Sequence, residues 1–364
     1  MEIMNDASTM EKMMLTKAVQ RQMPATGTLE LTPLCNMNCR MCYVRLSKEE
    51  MDKRGKMKTA EEWIALAEEM KDAGVLFLLL TGGEPLTFPG FKELYRYLKK
   101  IGMVLTINTN GTLINEEWAD FFEKYPPRRI NITLYGINER TYSELCRYKG
   151  YEKTIRGIKL LKSRHIDVKL NGSATKENFS EISEWYKIAK ELDVPLHVDT
   201  YMIPGLHDRK LSIEEQSRLQ PELMAQAEIE MMKQEMLPER FKQSAEYMLS
   251  KVEEEGTYPA GVSCLAGNCA FQIDWLGNMR PCLSMTDVMV PVFETGFKEG
   301  WRQISAQAKT YRLNDKCISC KMRPVCKTCP ANAFLETGDY SGLPTYLCGY
   351  SKAMIELLKK ELGK

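Results

Sequence analysis

Residues 34–43 read Leu34-Cys35-Asn36-Met37-Asn38-Cys39-Arg40-Met41-Cys42-Tyr43, which places three thiols within eight residues directly after a short β-type run at residues 28–31. Three thiolates in one loop can bind three irons of a 4Fe-4S cube and leave the fourth iron open for chemistry. Zinc in a closed structural site asks for a fourth protein ligand. No neighbouring His or Cys supplies one locally.

Outward from this loop, residues 27–202 alternate between short β-type runs and longer helical periods. The runs fall at residues 28–31, 75–80, 103–108, 130–134, 166–170 and 196–201. Between them, residues 59–73, 90–100, 115–124, 151–163 and 179–191 repeat apolar side chains at three and four positions, the period of an amphipathic helix. Successive βα units of this kind predict an α/β fold with parallel strands. Six units suit a partial (β/α)6 TIM-type barrel, while a doubly wound sheet shares the same pattern and stays open at this point.

At about 150 residues per domain, 364 residues suggest two domains or one large domain with an addition. The 50 Lys and Arg against 49 Asp and Glu leave a net charge of +1, so no global field draws the chain to nucleic acid or anionic lipid, and neither is expected as a partner. No stretch approaches the roughly 20 apolar residues of a membrane span. Glu2, Asp6, Glu11 and Lys12 interrupt the N-terminus, which lacks the apolar region of a secretory signal, so a cytoplasmic location is expected. His165, His197 and His207 are widely spaced and read as structural. Twelve Cys in a reducing compartment read as metal or cluster ligands before disulfides.

The expected divisions are an N-terminal helix and linker at 1–26, the barrel at 27–210, connecting helices at 211–260 and a Cys-rich unit at 261–364. Within the connector, Pro221 and Pro238 read as breakers between two or three helices, and Met224, Met231, Met232 and Met236 as core filler. The tail is dense in Cys, Pro and Gly, with too little apolar periodicity for a large core, so its fold is expected to depend on metal. Its thiols are Cys264, Cys269, Cys282, Cys317, Cys320, Cys326, Cys329 and Cys348, the complement of two 4Fe-4S clusters with four protein ligands each. Taken alone, the CxxC pairs suit zinc ribbons as well. Residues 271–282 read as a β-hairpin turning at Leu276-Gly277-Asn278. Cys146 is left over and reads as a buried free thiol.

The spacing Cys35-x3-Cys39-x2-Cys42 resembles the signature of the radical S-adenosylmethionine (SAM) superfamily, which lies at the end of the first barrel strand. That resemblance implies that the open iron is chelated by the amino and carboxylate groups of SAM, and that an electron from the cluster cleaves SAM to a 5′-deoxyadenosyl radical. The residue before the third Cys, commonly aromatic in the family, is Met41 here. Thr81-Gly82-Gly83-Glu84-Pro85 resembles the family's GGEP motif. There the glycines let backbone approach the ligand, and the Glu84 charge is the expected partner of the SAM ammonium. Asn108 and Thr133, ending the third and fourth runs, and Arg147 resemble further SAM contacts. The tail resembles a SPASM domain, which implies one auxiliary cluster on Cys264, Cys269, Cys282 and Cys329 and another on Cys317, Cys320, Cys326 and Cys348, making three 4Fe-4S clusters in all. The family commonly has three residues between its last Cys pair, where Cys326 and Cys329 are separated by two.

The function implied is oxidoreductase chemistry: hydrogen abstraction from a peptide or protein, such as thioether or carbon-carbon crosslinking or epimerisation of a ribosomally made peptide (RiPP). The implied partner is a flavodoxin- or ferredoxin-like electron donor, and, since only 26 residues precede the barrel, leader recognition is expected elsewhere or on a separate leader-binding protein. One alternative is an anaerobic sulfatase-maturing, formylglycine-generating enzyme. Its members typically carry Asp directly after the Cys matching Cys282, and Leu283 stands there. The other is a non-catalytic zinc-binding scaffold, against which the open three-Cys loop argues.

Overall fold

Each of the six apolar runs becomes a strand. In the computed structural model, which describes residues 8–203, 217–254 and 256–364, they are β1 (Thr26–Glu30), β2 (Phe77–Thr81), β3 (Val104–Thr109), β4 (Arg129–Thr133), β5 (Val168–Ser173) and β6 (Leu196–Asp199). Every neighbouring pair is parallel, and the order along the sheet follows the order along the chain. A doubly wound sheet reverses direction at a switch point, so this sequential order excludes it. Leu78, Leu80, Leu105, Ile107, Ile130 and Ile132 point outward and are buried in the main core. Alternate residues Thr106, Asn108, Asn131 and Asn171 face a lumen of about 140 Å³. Glu11 and Leu15 of the helix Thr9–Arg21 line its lower end, where Arg128 Nε donates to Glu11 Oε1 at 2.6 Å. The curled parallel sheet is a partial barrel.

The sheet does not stop at the barrel. β7 (Ala270–Ile273) joins β1 in parallel, and β8 (Asn278–Arg280) and β9 (Val290–Pro291) add antiparallel strands, for an order β6-β5-β4-β3-β2-β1-β7-β8-β9. The hairpin expected at residues 271–282 is therefore present and continues the barrel sheet. A Cβ on Gly27 would lie 2.2 Å from the Phe271 ring, so glycine in β1 is what lets the tail dock.

One expectation needs correction, and one element was not foreseen. The tail does have a core of its own kind: Phe297, Trp301 and Ile304 of the helix Phe297–Ala308, and Tyr350, Met354 and Leu358 of the helix Thr345–Glu361, are buried in the main cluster shared with the barrel. Its apolar residues pack outward onto other elements, which periodicity within a Cys-rich segment does not disclose. Pro221 and Pro238 stand, as expected, at the breaks between connecting helices, each at the first position of Pro221–Glu235 and Pro238–Glu253, where the missing N–H costs nothing. β9 was not expected. Met224, Met231 and Met232 are buried, as core filler should be. His207 and the expected division at residues 210–211 lie outside the described residues. No helix among the described residues is long and apolar enough to cross a membrane.

Candidate active site

The C-terminal ends of the strands converge on one cavity of about 680 Å³. Its wall is formed by Cys35, Cys39 and Cys42 after β1, Gly82 and Gly83 after β2, and Asn108 with Asn110 at the end of β3. Thr133, Ser173 and Asp199 close β4, β5 and β6 on the same cavity, and the tail contributes Cys282, Leu283, Ser284 and Lys327. The fold thus brings together the three-thiol loop, both motif glycines, Asn108 and Thr133. Arg147 is not among these lining residues: it is exposed, with φ 50° in the left-handed cap of the helix Glu139–Cys146.

Glu84 and Pro85 lie buried behind the wall. Gly83 N–H donates to the Thr32 carbonyl at 2.6 Å and Glu84 N–H to the Leu34 carbonyl at 2.9 Å, so the β2 loop is laced to the chain leading into Cys35. A Cβ on Gly82 or Gly83 would stand 2.4 Å from Thr32 O or 2.3 Å from Leu34 O. The glycines are thus required first by this backbone-to-backbone packing. The Glu84 side chain turns away from the opening and accepts from Leu86 N at 3.2 Å, Thr109 Oγ1 at 2.7 Å and Asn110 N at 2.8 Å. Burial pushes its carboxyl up to about 7 against these three donors.

The Asn110 side-chain amide reaches Cys35 Sγ at 3.8 Å and Asn36 Oδ1 at 2.9 Å. Met37 N–H donates to Cys35 Sγ at 3.4 Å and Arg45 N–H to Cys42 Sγ at 3.3 Å. Donors of this kind stabilise thiolates and so suit a metal-bound loop. Burial pushes the Cys35 thiol up to about 12, with the neighbouring Glu84, Cys39 and Cys42 charges adding to it. Asn38 N–H and Arg40 N–H donate to the carbonyls of Cys146 and Leu145 at 3.2 and 3.0 Å, tying the loop to the end of the helix Glu139–Cys146. Cys146 is buried and free, and burial together with the adjoining Cys39 raises its thiol pKa.

In the tail, Cys317, Cys320, Cys326 and Cys348 line one small cavity of about 20 Å³ beside Arg323. Cys282 and Cys329 pack in one apolar cluster with Met285, Tyr311 and Ala331, and the Cys264 charge bears on Cys269, Cys282 and Cys329 alike. The Cys269 side chain itself packs with Leu15, Ala18 and Ala25. Among the described residues, no group of three or more His, Cys, Asp or Glu stands in the arrangement of a single bound metal ion. The first loop, with three thiols on one cavity and N–H donors to Cys35 and Cys42, fits an iron–sulfur cube, whose ligands spread around a body larger than one ion; in the tail, Cys317, Cys320, Cys326 and Cys348 likewise share a cavity.

Spacing arguments had not singled out several polar groups of the cavity. Lys327 Nζ donates to Glu228 Oε2 at 2.7 Å and to Thr200 Oγ1 at 3.3 Å. Asp199 is exposed to the cavity, with His197 Nε2 at 3.4 Å. Tyr201 donates to Glu336 Oε1 at 2.6 Å, and Arg218 pairs with the same carboxylate while stacking 3.5 Å over the Tyr346 ring. Asp199 and Tyr201 sit at the end of a strand that periodicity did find, and strand-end position was the available signal.

Residues 29–189 match the model of the Radical SAM superfamily. The AdoMet-dependent heme synthase of Methanosarcina barkeri is 28% identical over 326 residues, covering 85% of this chain and 92% of that relative. The antilisterial bacteriocin subtilosin biosynthesis protein AlbA of Bacillus subtilis is 30% identical over 172 residues, covering 47% and 38%. Streptococcus suis SuiB bound to the precursor peptide SuiA shares the fold, with a TM-score of 0.69 and 17% identity over 92% of this chain and 79% of that one. With its six parallel strands, its thiol loop and its Cys-rich C-terminal region consistent with a SPASM domain, the chain carries a radical SAM domain at residues 29–189.

Proposed function

We propose that this chain holds SAM and a 4Fe-4S cluster at the barrel mouth and abstracts a hydrogen atom from a peptide or protein segment seated between that mouth and the tail. One observation carries the reading: Cys35, Cys39, Cys42, Gly82, Gly83, Thr133 and the tail's Cys282 all line the same cavity. When bound, the cluster and SAM supply a 5′-deoxyadenosyl radical. Cys35, Cys39 and Cys42 hold the cluster, and Asn110 donates to its Cys35 ligand. Gly82 and Gly83 offer backbone to the SAM amino end, Asn108 and Thr133 offer polar groups to the rest, and Glu84 fixes the loop that does so. Arg147, away from the cavity lining, is left out of this assignment. In the tail, Cys264, Cys269, Cys282 and Cys329 form one auxiliary set and Cys317, Cys320, Cys326 and Cys348 the other. A flavodoxin- or ferredoxin-like protein supplies electrons.

A peptide substrate is supported by AlbA among the relatives and by the SuiA-bound neighbour of the same fold. A second reading, conversion of an iron porphyrin, is favoured by the heme synthase that matches 85% of this chain. Among the described lining residues Lys327 is the one cation, and it is already engaged by Glu228, which favours a peptide over a porphyrin bearing several carboxylates. Leu283, at the position where sulfatase-maturing enzymes typically carry Asp, lines the cavity and brings no base to it. The test is anaerobic turnover with SAM and reductant, with either a synthetic peptide encoded beside the gene or iron-coproporphyrin III. A peptide mass change accompanied by faster 5′-deoxyadenosine release is expected. Consumption of the porphyrin instead overturns the peptide reading.

A further inference from the structure

Between the two sets of thiols lies a buried pair of opposite charges that the proposed reaction leaves unused. Glu30 ends β1, five residues before Cys35, and Arg280 ends β8, two residues before Cys282. Each is 1% exposed. Gln272 Nε2 donates to Glu30 Oε1 at 2.5 Å, but Glu30 Oε2 stands 3.7 Å from Arg280 Nη2, too far for a hydrogen bond. Neither that oxygen nor Arg280 Nε or Nη2 has a hydrogen-bond partner among the described residues.

Burying an ion costs several kcal/mol even after relaxation, and apolar side chains of similar volume would join β1, β7 and β8 at lower cost. A guanidinium kept there with two N–H groups uncommitted acts on its surroundings with little screening. Arg280 stands two residues before Cys282; burial dominates at both Cys282 and Tyr43 of the three-thiol loop, and the Arg280 charge bears on each against it, with the Glu30 charge also bearing on Tyr43.

We propose that Arg280, balanced by Glu30, sets the reduction potential of the auxiliary cluster at Cys282. This rests on the reading that the tail thiols hold iron–sulfur clusters. The reduced form of a cluster carries one more negative charge than the oxidised form, so a neighbouring guanidinium favours reduction and a neighbouring carboxylate opposes it. Arg280 is two residues from Cys282, and Glu30, 3.7 Å from its Nη2, offsets its charge.

The test is an EPR-monitored redox titration of the reconstituted full-length chain carrying Cys35→Ala, Cys39→Ala and Cys42→Ala, which isolates the tail's signals. It is run at about pH 8.5, above the value of about 7 to which burial pushes the Glu30 carboxyl. Arg280→Gln is expected to lower the midpoint of one cluster, Glu30→Gln to raise it, and Arg280→Lys to leave it near the parent value. The cluster on Cys317, Cys320, Cys326 and Cys348 serves as the internal reference and stays put. If Arg280→Gln misfolds by iron content or circular dichroism, Glu30→Gln and the Glu30→Gln/Arg280→Gln pair carry the test, the pair returning toward the parent. Absence of any iron–sulfur signal from the parent tail overturns the cluster reading, and this proposal with it. Clusters present with midpoints unmoved, or moved the same way by both single variants, overturn this proposal alone.

Discussion

Asn110 donates its backbone N–H to Glu84 Oε2 at 2.8 Å, while its side-chain amide reaches Cys35 Sγ at 3.8 Å. One residue at the end of β3 thus links the Gly82-Gly83-Glu84 loop to the first thiol. Glu84→Gln keeps one acceptor oxygen but removes the charge, and its effect on SAM passes through this link. We expect iron content to hold and SAM binding to weaken about tenfold, or about 1.4 kcal/mol. Equilibrium dialysis with labelled SAM reads this, and an unchanged affinity would mean that the Glu84 charge does not act on SAM through Asn110 and the loop.

Glu84→Ala tests the structural half of the same link. It leaves the buried N–H groups of Leu86 and Asn110 without their acceptor. An orphaned buried donor costs about 1–3 kcal/mol, so a marked drop in melting temperature is expected, larger than for Glu84→Gln. Equal melting temperatures for the two variants would mean that the hydrogen bonds, as distinct from the charge, add little.

The three thiol sets should load iron independently, because each set has its own ligands: Cys317, Cys320, Cys326 and Cys348 line a cavity of their own, and of the other tail set Cys282 alone among the described residues borders the cavity of Cys35, Cys39 and Cys42. Cys35→Ala, Cys39→Ala and Cys42→Ala together should remove about a third of the iron, from close to twelve atoms per chain if each of three cubes holds four. Cys348→Ala should affect the set beside Arg323 and leave the SAM-dependent signal in place. Two tightly bound zincs and no absorbance near about 400 nm would contradict the assignment.

The lower end of the barrel carries a pH dependence. The Arg128 guanidinium hydrogen-bonded to Glu11 holds that carboxyl down to about 2. A carboxyl whose folded pKa is depressed stabilises the fold fully above its unfolded value, here about 4.5, and the contribution fades as pH falls toward the folded value. Wild type should therefore melt higher than Glu11→Gln at pH 7, with the gap narrowing between about pH 4.5 and pH 3. A gap that stays constant over that window would assign the stabilisation to something other than the ion pair.

Much of this was legible in the residues themselves. The six β-type runs located all six parallel strands within about two to three residues at their ends, because outward-facing Leu and Ile alternate with lumen-facing polar residues in β3 and β4 and β2 is a continuous apolar run. The three-Cys loop stood out by spacing, and the glycine pair by its resemblance to the GGEP motif. What lay beyond reach was anything that depends on two distant segments meeting. Phe271 against Gly27, Glu30 against Arg280 and Cys146 beside Cys39 are each more than 100 residues apart in the chain. The tail helices were missed for the same reason, since Phe297, Trp301 and Leu358 bury themselves on the barrel's side of the core. The glycines of the β2 loop were assigned to the right place for an incomplete reason: what excludes a side chain there is the backbone of Thr32 and Leu34.

The central claim is that the cavity at the barrel mouth cleaves SAM to start a radical reaction. Reconstituted enzyme under strict anaerobiosis, given SAM and dithionite, is assayed for 5′-deoxyadenosine and methionine by liquid chromatography and mass spectrometry, beside the Cys35→Ala/Cys39→Ala/Cys42→Ala variant. Slow formation of both products in equal amounts by the wild type, abolished in the variant, is the result predicted. No 5′-deoxyadenosine from iron-loaded wild type, or an equal yield from the variant, would contradict it.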